Sequence, residues 1–62
     1  MNEVERIIDQ LRAISEDLTD LSMQILSDAI ADGATSRPKE EKAVSQARRS
    51  VDKAISQLLS AQ

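Results

Sequence analysis

The sequence predicts an all-α fold: an antiparallel two-helix hairpin expected to assemble into a four-helix bundle as a dimer. Three observations carry this. Val4, Ile7, Leu11, Ile14, Leu18, Leu21 and Ile25 are spaced alternately three and four apart, a heptad stripe over three repeats. Val44, Ala47, Val51, Ala54, Leu58 and Ala61 repeat the pattern in the second half. Between them lies "GATSRP", which holds the single Gly and the single Pro of the 62 residues. The chain reads as one domain, 1–62.

Helix 1 is expected over about residues 2–32, because no Pro or Gly precedes Gly33. Gly33 follows the last periodic residues, where a left-handed helix cap carries no Cβ penalty. Residues 33–37 form the turn. Pro38 suits the first turn of a helix and pushes Arg37 away from helical dihedrals. Helix 2 is therefore expected over about 38–60, with Arg37 or Ser36 as its cap and Glu40 and Glu41 near its positive dipole end.

Folding the helices together across so short a turn pairs residues whose numbers sum to about 70. Val44 then lies near Ile25, Val51 near Leu18 and Leu21, and Leu58 near Leu11 and Ile14. The expected seam is Ile7, Leu11, Ile14, Leu18, Leu21 and Ile25 against Val44, Ala47, Val51, Ala54 and Leu58. Val4 and Ile7 would overhang the shorter second helix.

Several apolar residues fall outside that seam. Met23, Leu26 and Ile30 form a stripe of their own on the far side of helix 1, while Asp28 and Asp32 occupy positions the seam would keep apolar. Ile8 widens the first stripe, and Ile55 and Leu59 flank the second. A single partner helix covers about one face. Val4, Ile8, Met23, Leu26, Ile30, Ile55 and Leu59 are therefore the candidate surface for a second copy or a larger protein partner. Oligomerisation is also the stabilising device left to so small a chain: it has no Cys for a disulfide and no His or Cys for a zinc staple.

Composition narrows the function classes. Without Cys or His there is no thiol nucleophile, imidazole base or soft metal site, and one Gly cannot build a phosphate loop. No cofactor, small-molecule substrate or enzymatic activity is expected. Glu16, Asp17 and Asp20 offer oxygen ligands to a divalent cation, but charge clusters on a long helix read first as a solvated face. Apolar runs stop at two or three residues, too short to span a membrane. The acid-bearing start "MNEVERIIDQ" has no signal-peptide core, and a cytoplasmic location is expected.

Charge is divided unevenly. Residues 1–36 hold eight acids and two bases, and residues 37–62 hold six bases and three acids. Attraction between the halves is the simplest reading. The alternative is a nucleic-acid face built from Arg48, Arg49 and Lys53, with Arg37, Lys39 and Lys42 beside them. In length and topology the chain is similar to the repressor-of-primer proteins, helical hairpins that dimerise into four-helix bundles and bind RNA loops. It shares no motif with them and lacks an aromatic residue to match their RNA contact. The stretch "LRAISEDLTDL" resembles the first helix of all-helical chorismate mutases. That match rests on Arg12 alone, without the family's third helix or its other cations. The function expected from the sequence is a non-enzymatic interaction, adaptor or regulatory module.

Overall fold

The computed structural model describes residues 2–36 and 38–62, so the expectation that Arg37 caps helix 2 lies outside the described residues. Two helices, α1 (Glu3–Ala31) and α2 (Lys39–Ser60), pack against each other, and the described residues contain no strand. The hairpin is a narrow slab of 47 × 16 × 10 Å.

Local chemistry explains where each helix stops and starts. The Asn2 side chain accepts a hydrogen bond from the Glu5 backbone N–H at 2.7 Å, satisfying one of the free donors of the first turn. Glu3 and Glu5 stand at the positive end of the helix dipole. At the other end, Gly33 has φ 84°, its N–H bonds the Ile30 carbonyl at 3.0 Å, and the Ala34 N–H bonds the Ala29 carbonyl at 2.9 Å. This paired closure needs a left-handed residue at its hinge. Pro38, with φ −61° and ψ 147°, is the residue before α2 and not its first helical residue. Its carbonyl accepts from the Lys42 N–H at 3.2 Å, while its missing donor goes unneeded.

The helices meet along a line rotated from the expected seam, sharing Leu11, Leu18 and Ile25 with it. On α1 the residues withdrawn from solvent include Val4, Ile8, Leu11, Ser15, Leu18, Ser22, Ile25 and Ala29, spaced alternately four and three, with Ile7 and Leu26 half-buried beside them. On α2 they include Glu41, Ser45, Arg48, Asp52 and Ile55, with Pro38 just before the helix. The centre of this line is polar. The Ser22 and Ser45 hydroxyls each donate to Glu41 Oε1 at 2.7 Å, and the two hydroxyl oxygens lie 3.4 Å apart. Further along, the Ser15 hydroxyl donates to Asp52 Oδ1 at 2.7 Å.

Ile14 and Leu21 are 45% and 41% exposed, and Ala47 is exposed as well, so these expected seam residues do not fill the hairpin contact. The register also differs. Sums near 70 would set Ser15 opposite Ile55 and Ser22 opposite Arg48, whereas they meet Asp52 and Ser45, about one turn closer to the loop. Both shifts have one cause. Serine hydroxyls and carboxylates that bond each other across the contact can occupy it, so the apolar columns rotate outward.

Glu41 is 2% exposed, and a carboxylate so placed needs its hydrogen bonds. Glu41→Ala leaves the Ser22 and Ser45 hydroxyls without their acceptor and should cost about 1–3 kcal/mol, whereas the exposed Glu40→Ala should stay within about 0.5 kcal/mol. Urea unfolding of both variants at one protein concentration measures the difference.

Candidate interaction interface

The exposed apolar residues are arranged by a simple rule. Several residues of the contact line are each preceded in sequence by an apolar residue of an outward column. Ile7, Ile14 and Leu21 precede Ile8, Ser15 and Ser22. On α2, Val44 and Val51 precede Ser45 and Asp52, and Ala47 and Ala54 precede Arg48 and Ile55. One step back along a helix is a rotation of about 100°. Seen from one end, two antiparallel right-handed helices wind in opposite senses. The same backward step therefore swings both columns to the same side of the hairpin.

That side is a continuous apolar face. Val4, Leu11, Leu18 and Ile25 on α1 and Val44, Val51 and Leu58 on α2 are half-buried along its middle. Ile14 and Leu21 form one open edge, and Ala47 and Ala61 the other. Ile8, at 3% exposure, is the one large apolar side chain fully buried among the described residues. Most of the apolar surface the two helices possess is thus half-covered or open.

One step forward from the contact line leads to the opposite side, and its chemistry differs. Asp9, Glu16, Met23 and Ile30 follow contact residues on α1, and Lys42, Gln46, Arg49 and Lys53 follow them on α2. Met23 and Ile30 stand out on this side at 64% and 73% exposure. Leu26 is half-buried beside the turn, where Leu26, Ala29, Ile30, Ala34, Thr35 and Pro38 line an open depression.

The residues first assigned to an external surface are therefore divided by the structure. Ile8 is enclosed within the hairpin and is unavailable to a partner. Val4, Leu26 and Ile55 are half-buried in or beside the helix contact. Met23 and Ile30 are open, and Leu59 is 45% exposed at the end of α2. The groups that rotate the helices, Ser15, Ser22, Glu41, Ser45 and Asp52, were not singled out by hydrophobic pattern. Their signal was the recurrence of small or polar residues every seven positions, as in Ser15, Ser22 and Ala29.

The three cations of the nucleic-acid alternative do not share one surface. Arg48 lies on the helix contact, with Nη1 3.4 Å from Asp52 Oδ2, while Arg49 and Lys53 are exposed on the charged side, which also carries Asp9 and Glu16. Among the described residues no group of three acidic side chains is brought together to hold a metal ion, and no helix is long and apolar enough to cross a membrane.

Asp52 serves two helices at once, whereas the Arg48 pair is part-exposed and local. Asp52→Ala should cost about 1–2 kcal/mol by freeing the Ser15 hydroxyl, and Arg48→Ala well under about 1 kcal/mol through its ion pair. Parallel urea titrations read the ranking. No protein-family model, curated protein or solved structure matches the chain.

Proposed function

We propose that this protein is a non-enzymatic interaction module that acts by associating with another helical surface through its apolar face. The observation that carries this reading is the face itself. Ile7, Ile14, Leu21, Val44, Val51 and Leu58 lie on one side of the hairpin, and one large apolar side chain among the described residues is fully buried. A face of this kind favours contact with another protein over contact with water. Its role would be that of an adaptor or regulator whose folded state and whose association are coupled, since a partner that binds only the folded hairpin stabilises it by mass action.

Sedimentation equilibrium at micromolar concentration tests the reading, with an expected mass near twice 6.8 kDa. Leu21→Asp should move the mass toward that of the single chain, because it puts a charge on the apolar face. Met23→Asp, on the charged side, should leave the mass unchanged. A thermal midpoint that rises with protein concentration is expected alongside. A well-folded single chain with no concentration dependence overturns self-association.

A further inference from the structure

We infer that the occupant of the apolar face is a second copy of this chain, placed so that α1 of each copy packs against α2 of the other, with both turns at the same end of a four-helix bundle. This rests on the reading above and specifies its geometry. A twofold pair of hairpins joined by this face has two simple arrangements. If the axis runs parallel to the helices, α1 lies on the partner's α2. If it runs across them, α1 lies on the partner's α1 and α2 on the partner's α2, with the turns at opposite ends.

Register favours the first. A twofold axis parallel to the helices leaves every residue at its own height. The register of α1 with the partner's α2 must then equal its register with its own α2, which Ser15–Asp52 and Ser22–Ser45 fix. By that register Ile14 is level with residue 53 and Leu21 with residue 46. Ala54 and Ala47 are one residue away, a rise of about 1.5 Å. The open edge of α1 and the open edge of α2 thus come level without adjustment.

Size favours it as well. The α1 edge is large, with Ile7, Ile14 and Leu21, and the α2 edge is small, with Ala47, Ala54 and Ala61. Large against small fills a helix contact at ordinary spacing, whereas large against large on one side and Ala against Ala on the other would splay the bundle. Charge points the same way. The α1 span carries seven acids against two bases, and the α2 span five bases against three acids. Setting α1 beside the partner's α2 joins unlike charges, while setting α1 beside the partner's α1 joins like ones.

The native chain has no Cys, so an introduced thiol is the only one in its chain. Chains carrying Ile14→Cys are mixed with equal amounts of chains carrying Ala54→Cys in a glutathione redox buffer, with helicity of each checked by circular dichroism. A disulfide needs Cα atoms within about 7 Å, so the mixed 14–54 disulfide should exceed either homodisulfide by about tenfold. Leu21→Cys with Ala47→Cys repeats the test one heptad along, should the first pair disturb folding. A predominance of 14–14 and 54–54 disulfides, or no disulfide in either pair, overturns the arrangement while a dimeric native mass preserves self-association. A monomeric native chain overturns both.

Discussion

The Glu41 carboxylate lies inside the contact between the helices, and its need for hydrogen bonds there governs how α1 and α2 face each other. Taking a charge out of water is costly unless donors replace the lost hydration. Ser22 from α1 and Ser45 from the next turn of α2 supply two such donors to one oxygen. Ser22 can do so only if its column of α1, with Ile8, Ser15 and Ala29, is turned toward α2. Ser15 then reaches Asp52, one heptad further along, and the two polar contacts together fix rotation and register.

Everything outside the contact follows from that rotation. Each helix carries an apolar arc wider than one neighbour can cover. With α2 centred on the serine column, the arc of α1 is used along one margin and left open along the other, at Ile14 and Leu21. The same step on α2 leaves Ala47 and Ala61 of its alanine column open and Ala54 half-covered. Because antiparallel helices wind in opposite senses, the two open margins fall on one side and reinforce each other. The charged side of the hairpin is the complement of this choice.

Much of the fold was legible in the sequence, and the part that was not has an identifiable cause. The helices announce themselves by heptad spacing, and Gly33 and Pro38 mark the turn because one permits a positive φ and the other has no donor to lose. The exposed stripe at Met23 and Ile30 was also readable as a departure from the heptad. The rotation was hidden. A pattern search assigns the inner face to the most apolar columns, and on that basis Ile7, Ile14 and Leu21 belong inside and Ser15 and Ser22 outside. The seven-residue recurrence of Ser15, Ser22 and Ala29 does not name a partner across the contact, since Ser15 and Asp52 each read alone as an ordinary surface residue. Ile8 was misplaced for the same reason: it heads the serine column, and its neighbours disguised that column as solvent-facing.

A polar seam makes physical sense in a chain whose apolar columns are committed elsewhere. Had Ser15 and Ser22 been leucines, α1 would present three apolar columns in a row, and α2 could settle on either margin with little difference in energy. The directional serine–carboxylate bonds remove that degeneracy, because a rotation that brings Ile14 inward breaks the Ser22–Glu41 and Ser15–Asp52 bonds. The hairpin gives up some of the burial it could have achieved alone and gains a defined open face. In the proposed assembly this division is useful: polar bonds specify the fold within the chain, and apolar area is reserved for the contact between chains. The polar contacts and the apolar face are thus carried by different residues, although the stability of the folded hairpin still rises with association.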